Sequence, residues 1–218
     1  MSMTNTFIII FGIILLCGLL FYEKKKNGMP LLIRKSILSL LFVMTALLQP
    51  HSVPAYYHYL FVGLIFCLFG DVFLALPQEK AFKVGLIAFL IGHISYILSF
   101  SSLIPASYWI SSGLFIFLGM SAFIFFWLRP HLNSMLIPVS LYIVIITVMG
   151  VGAWAVFWKS SFGISGRALI LAGALCFYFS DIFVARDKFI KEECLNRLLG
   201  LPLYYAGQFM LAFSVGLL

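Results

Sequence analysis

The chain has 218 residues, 63% of them hydrophobic and 10% charged, with a mean hydropathy of +1.12. A soluble domain of this length cannot bury so much apolar surface, which excludes a water-soluble enzyme and points to a polytopic membrane protein. In a soluble protein the net charge of +7 would suggest nucleic acid; here it reads as loop charge that sets orientation and meets anionic headgroups, so no nucleic-acid partner is expected.

Eight transmembrane helices are predicted, at 5–22, 31–48, 56–76, 82–103, 107–128, 133–158, 165–185 and 198–217. The fold class is all-α, a single transmembrane domain over 1–218; a closed barrel would need shorter alternating strands. The first helix lacks the basic start of a signal peptide and is followed by Lys24, Lys25 and Lys26, so it reads as a retained span with its N-terminus outside. The second carries Arg34 and Lys35 one turn inside, the third carries Asp71, and the fourth His93 and Tyr96 on one face. The sixth holds Pro138, expected to kink it, and the seventh Tyr178, Ser180 and Asp181. The eighth carries Tyr204, Tyr205 and Gln208. Breaks fall at Asn27-Gly28, Gln49-Pro50, Pro77-Gln78, Pro105, Arg129-Pro130, Ser160 to Gly163 and the charged stretch Arg186 to Arg197.

Counting each helix start with its adjoining loop, one side of the bundle holds twelve of the fourteen Lys and Arg residues; Lys159 and Arg167 are on the other. The positive-inside rule then puts both termini away from the cytoplasm. Cys17, Cys67 and Cys176 lie in apolar runs and Cys194 in the charged stretch, with no CxxC pair, so neither a disulfide framework nor a metal site is expected. No cofactor is expected either. His51, His58 and His131 sit in loops without ligand spacing.

The sharpest feature is a repeated phrase. Residues 63–75 and 173–185 share five of thirteen positions, namely Gly63/Gly173, Phe69/Phe179, Asp71/Asp181, Phe73/Phe183 and Ala75/Ala185. The offset equals four helices, so the two helices run parallel, and a four-plus-four repeat with halves 1–105 and 106–218 is one reading; convergence on one motif is the other. A carboxylate in hydrocarbon costs several kcal/mol unless it faces the bundle interior with a partner, so Asp71 and Asp181 are the leading functional candidates. Small residues step by seven along both helices, at Gly63 and Gly70 and at Gly166, Gly173 and Ser180. These seams are expected to pack together and bring both aspartates into one pocket near the basic side of the membrane. Arg34, Lys35, His93, Tyr96, Tyr178, Ser180, Tyr204, Tyr205 and Gln208 reach that level as candidate substrate contacts. Structural readings compete: the aspartates can be neutralised by helix–helix hydrogen bonds, Arg34 and Lys35 can snorkel to the interface, and His93 and the tyrosines can be packing residues.

Several motifs resemble the YhhN-like lysoplasmalogenase family. They are Gly70-Asp71-Val-Phe-Leu-Ala with Gly92-His93-Ile-Ser-Tyr96 and Phe100, then Gly173-Ala174 with Phe179-Ser180-Asp181 and Lys188-Phe189, then Tyr204-Tyr205-Ala-Gly-Gln208. Pro138 and Tyr142 also fall where that family has them. One departure is Lys35-Ser36, where a Lys-Pro pair is common in the family. The resemblance implies hydrolysis of the vinyl-ether bond of a lysophospholipid substrate, giving a fatty aldehyde and a glycerophosphodiester. Such chemistry needs a carboxylic acid that keeps its proton and a second carboxylate, roles that Asp71 and Asp181 would share, while Arg34 or Lys35 would hold the phosphate. A proton-coupled transporter using the two aspartates, or a lipid-binding membrane protein without turnover, are the competing functions. High Phe and Ile content with short loops suggests a bacterial inner membrane, with the active site toward the cytoplasm. The sequence leaves the oligomeric state open.

Overall fold

In the computed structural model, which describes residues 3–24 and 28–218, every long apolar run is an α-helix. Hydrocarbon offers no partner for a backbone N–H or C=O, so each run must satisfy its own backbone, and a helix does that within one segment. The helices are α1 (Met3–Lys24), α2 (Gly28–Leu48), α3 (Pro54–Leu74), α4 (Glu79–Leu103), α5 (Ser112–Leu128), α6 (Leu136–Lys159), α7 (Ile164–Ala185) and α8 (Cys194–Ser214). All eight are long and apolar enough to cross a membrane. Lys25, Lys26 and Asn27, which enter the charge count and the first break, lie outside the described residues.

Several boundaries differ from expectation, and three of the differences have a local reason. The fifth helix starts at Ser112, because Pro105 opens a short 3₁₀ turn (Ala106–Tyr108) and the Trp109 indole N–H donates to the Ile104 carbonyl at 3.1 Å. The sixth starts at Leu136, after a 3₁₀ turn (Asn133–Met135) that Asn133 enters with φ 42°. Pro138 therefore occupies the first turn of α6 rather than its interior, and its missing N–H has no intrahelical partner to lose. The interior proline is Pro202 of α8. The charged stretch after the seventh helix is not a loop. A single π-helical turn (Arg186–Ile190) continues α7, and α8 already begins at Cys194. Asn196 and Arg197 are held there by Asp187, which accepts from Asn196 Nδ2 at 3.1 Å and from Arg197 Nε at 3.2 Å.

The expected packing of the two glycine seams on each other is also corrected. Each seam instead meets the next helix in the chain. A Cβ on Gly63 would lie 3.0 Å from the Gly92 carbonyl of α4, and one on Gly173 would lie 2.9 Å from the Gly207 carbonyl of α8. The α3/α4 and α7/α8 pairs thus form the two tightest crossings, each glycine on glycine, which lets the backbones approach closely. The bundle is closed by α2 packing on α8 and by α4 packing on α6. Those two contacts carry α8 to Asp71 and α4 to Asp181.

Candidate active site

A cavity of about 890 Å³ opens at the end of the bundle where α1, α3 and α7 finish and α2, α4 and α8 start. Asp71 and Asp181 both line it. They come from α3 and α7 without those helices packing on each other, because the cavity lies between the two tight hairpins.

Each aspartate has its own set of partners from two other helices. Asp71 is 4% exposed, and its Oδ2 accepts from Ser39 Oγ of α2 at 2.5 Å and from the Tyr204 hydroxyl of α8 at 2.6 Å. The Ser39 hydroxyl also lies 2.8 Å from the Lys35 carbonyl, so its hydrogen is shared. Asp181 is more open, with 20% of its side chain exposed. Its Oδ2 accepts from the Tyr142 hydroxyl of α6 at 2.7 Å and lies 3.7 Å from His93 Nε2 of α4. Ser39 was not among the sequence candidates, and Tyr142 entered there by resemblance alone. A serine or tyrosine in an apolar helix carries little signal by itself; a buried carboxylate's need for donors would have prompted a search for them.

The remaining candidates divide clearly. Lys35 lines the cavity, with its Nζ 4.0 Å from Glu23 Oε1 and a side chain 12% exposed. Arg34 turns the other way, toward α1, with its guanidinium stacked 4.6 Å from the Tyr22 ring centroid. Tyr204 is in the cavity wall, and Tyr205 lies behind it, its hydroxyl 3.5 Å from the Lys35 carbonyl. Tyr178 lines the cavity, but its hydroxyl pairs with Ser121 Oγ at 2.7 Å, part of a buried hydroxyl cluster with Thr147 that ties α5, α6 and α7 together. The Ser180 hydroxyl returns to the Phe177 carbonyl of its own helix. Tyr96 and Gln208 are fully buried behind the cavity, joined at 2.7 Å in a lock between α4 and α8. The Tyr96 hydroxyl and the Gln208 amide oxygen serve the scaffold rather than the cavity.

The mouth is strongly charged. Glu23, with a side chain 3% exposed, is held by Arg197 at 3.1 Å, and Arg197 also pairs with Asp187 and Glu192. Arg186 pairs with Glu193 at 2.8 Å and with Asn196. Glu193, outside the membrane spans, has its carboxyl held below the ordinary range by hydrogen bonds from Lys191 and then Arg186. Lys188 lines the cavity with its ammonium over the Phe82 ring. A π-turn placed at such a mouth is a common feature of functional sites. Deeper walls are apolar, built from Phe89, Ile143 and Ile146, with Ile124, Leu128 and Val139 nearer the mouth. The cavity thus passes from ions to two carboxyls to hydrocarbon walls. Among the described residues no three His, Cys, Asp or Glu side chains converge as metal ligands.

Comparison with known proteins matches residues 31–215 to the YhhN family. Lysoplasmalogenase TMEM86A of Bos taurus is 33% identical over 159 residues, covering 71% of this chain and 64% of the relative. Lysoplasmalogenase TMEM86A of Homo sapiens is 31% identical over 164 residues, with the same coverage of each. The chain therefore spans under two thirds of the length of these curated relatives. No solved structure matches.

Proposed function

The chain belongs to the YhhN family, and on that premise we propose that it is a lysoplasmalogenase. It would hydrolyse the vinyl-ether bond of 1-alkenyl lysoglycerophospholipids to a fatty aldehyde and glycerophosphoethanolamine or glycerophosphocholine. The observation that carries this reading is the single cavity in which two carboxyls lie between a charged mouth and apolar walls. A one-chain phospholipid has the same order of parts, and a volume of about 890 Å³ is in the range of small-molecule sites.

Vinyl ethers hydrolyse by protonation at the β-carbon. The electron pair of the C=C bond takes the proton, and the ether oxygen shares the resulting positive charge as an oxocarbenium ion. A water molecule then adds to the α-carbon and gives up a proton. The hemiacetal formed collapses, the glycerol oxygen leaves as an alcohol, and the aldehyde remains. One carboxylic acid and one carboxylate suffice, as in glycosidases that pass through a comparable cation. Asp71 and Asp181 are the groups proposed for those two roles. Lys35, the basic residue of the candidate pair that lines the cavity, is the proposed phosphate contact. The cavity opens at the Lys- and Arg-rich end of the helices, which supports a site facing the cytoplasm.

The test is direct. Purified protein is incubated with 1-alkenyl lysophosphatidylethanolamine, and fatty aldehyde is measured beside Asp71→Asn and Asp181→Asn. Aldehyde from the unaltered chain, lost in both folded variants, is the expected result. No aldehyde with either common headgroup, together with pH-gradient-dependent flux in sealed vesicles, would replace the hydrolase with a proton-coupled carrier.

A further inference from the structure

The two aspartates are wired differently, and His93 is the reason. His93 is fully buried on α4, and its Nδ1 lies 2.6 Å from the Phe89 carbonyl. A carbonyl oxygen can only accept, so Nδ1 carries the hydrogen whatever the charge of the ring. Nε2 is then the variable position. It has no hydrogen-bond partner and points at Asp181 Oδ2, 3.7 Å away. A neutral His93 facing an ionised Asp181 would set two lone pairs against each other at the cavity wall, where His93 Nε2 is buried. One proton between them removes the conflict, either on the carboxyl or on the imidazole. The pair titrates as a unit, so the site that carries it is a property of both residues.

Among the described residues, no other group in contact with His93 supplies that hydrogen or a positive charge. The polar groups around it are the Tyr142 hydroxyl from α6, which is spent on Asp181, and the Tyr96 hydroxyl on its own helix, spent on Gln208. Cys67 of α3 stands behind Tyr96, and Tyr204 of α8 lies across the Phe177 ring with its hydroxyl on Asp71. Asp71 has the opposite surroundings. Two hydroxyls that carry hydrogens converge on its Oδ2, and Lys35 lines the same cavity. That environment suits a carboxylate.

We infer that Asp181 and His93 together hold one exchangeable proton at the cavity wall, so that Asp181 delivers the proton and Asp71 works as the charged carboxylate. This assignment rests on the hydrolase reading for its chemistry, though not for its proton count. Asp181 gives its proton to the β-carbon, and Asp71 takes one from the attacking water. As the hemiacetal collapses, Asp71 gives its proton to the departing glycerol oxygen and the hemiacetal hydroxyl gives its own to the Asp181–His93 pair, which leaves Asp71 charged again. His93 is a positioning residue here, since Asp181 is the group that meets the substrate.

The proton can be counted without turnover. Infrared spectra of the detergent-solubilised full chain in H₂O and D₂O report a protonated carboxyl, and nitrogen-15 NMR of labelled histidine reports an imidazolium. At neutral pH the expected result is one of two signals: a carboxylic-acid stretch that Asp181→Asn removes and Asp71→Asn leaves, or an imidazolium resonance that His93→Gln removes. Asp181→Glu, which shifts the stretch instead of deleting it, serves if Asp181→Asn does not fold. Absence of both signals overturns the inference, as does a carboxylic-acid stretch that Asp71→Asn removes. In the kinetic arm, His93→Gln lowers kcat by about tenfold or more, a size typical of disturbed general-acid catalysis, while KM stays within about twofold. An unchanged kcat overturns the role of His93. If the unaltered chain releases no aldehyde, the hydrolase reading fails, whereas the spectra still decide where the proton is.

Discussion

The α7/α8 crossing offers the most quantitative test of how the scaffold sets the site. A Cβ on Gly207 would lie 2.8 Å from the Gly173 carbonyl and 3.1 Å from the Phe177 backbone nitrogen, both groups that cannot swing aside. Ordinary contact begins at 3.4 Å, so Gly207→Ala forces the helices apart by about 0.6 Å, the difference between 3.4 and 2.8. Overpacking of this kind costs ~1–3 kcal/mol. Tyr204 sits one turn earlier on α8, and its hydroxyl is 2.6 Å from Asp71 Oδ2. That bond runs to α3, so a helix shift of this size lengthens it to about 3.2 Å at most, past the usual limit of about 3.0 Å for O–H···O. Gly207→Ala is therefore expected to lower the melting temperature in detergent and to cut aldehyde release about tenfold, equivalent to ~1.4 kcal/mol of transition-state stabilisation. Gly119 of α5 is the control, since a Cβ there meets nothing within 4 Å. Gly119→Ala should be neutral or stabilising by ~0.5–1 kcal/mol, through reduced freedom of the unfolded chain. If Gly207→Ala melts and turns over like Gly119→Ala, the close crossing does not position Tyr204.

Six further substitutions separate roles in and around the cavity. Tyr204→Phe removes a donor from the charged Asp71 and should lower kcat by about 10- to 100-fold, as expected for ~1.5–3 kcal/mol per hydrogen bond to a charged group. Tyr142→Phe, whose partner Asp181 shares its proton with His93, should lower it by about 2- to 10-fold, as expected for ~0.5–1.5 kcal/mol per ordinary hydrogen bond. Tyr178→Phe, whose hydroxyl bonds Ser121, should instead lower thermal stability with kcat within about twofold; equal kinetic losses in all three would show that the hydroxyls act only through packing. Lys35→Gln should raise KM for the lysophospholipid about tenfold while Arg34→Gln leaves it within about twofold, and the reverse order would move the phosphate contact to Arg34. Glu193 has its carboxyl held low by Lys191 and Arg186, so its contribution is present above the unfolded value of 4.5 and is lost as pH falls through the lower folded value. Acid melts at pH 5 and below should show a loss of stability that Glu193→Gln reduces, and identical curves would discount that ion cluster.

Hydropathy was enough to place eight spans, because a run that must cross hydrocarbon has to be apolar over its whole length. The same uniformity hid which face each helix presents. With α5 and α6 apolar on all sides, lipid-facing and core positions differ by packing alone, a property of the neighbours rather than of the segment. The glycine step on α3 and α7 was legible as a seam, but its partner was not: Gly63 meets Gly92 and Gly173 meets Gly207, glycines that entered only as members of the family-like motifs. The aspartates stood out because a buried charge is expensive. Ser39 and Tyr142, which satisfy them, did not stand out, since a hydroxyl in an apolar helix can also bond back to its own backbone. Arg34 and Lys35 were equivalent in sequence, and only the rotation of α2 separates the residue over Tyr22 from the one in the cavity.

The wiring of the two carboxyls follows one plan at the level of helices and two plans at the level of side chains. Asp71 of α3 is held from α2 and α8, and Asp181 of α7 is met from α6 and α4, so a step of four helices carries one arrangement onto the other. The same step relates the α3/α4 crossing to α7/α8 and the α2/α8 contact to α4/α6. The partner residues themselves do not repeat. A shift of 110 carries Ser39 to Met149 and His93 to Leu203, and carries Tyr204 back to Ile94 and Tyr142 back to Leu32. A scaffold that offers two equivalent sockets is filled with hydroxyl donors in one and with a donor and an imidazole in the other. Two carboxyls with identical surroundings would compete for the same protonation state, which suits neither acid nor base. Different sockets separate their protonation states, and that separation is what a reaction needing one proton donor and one carboxylate requires.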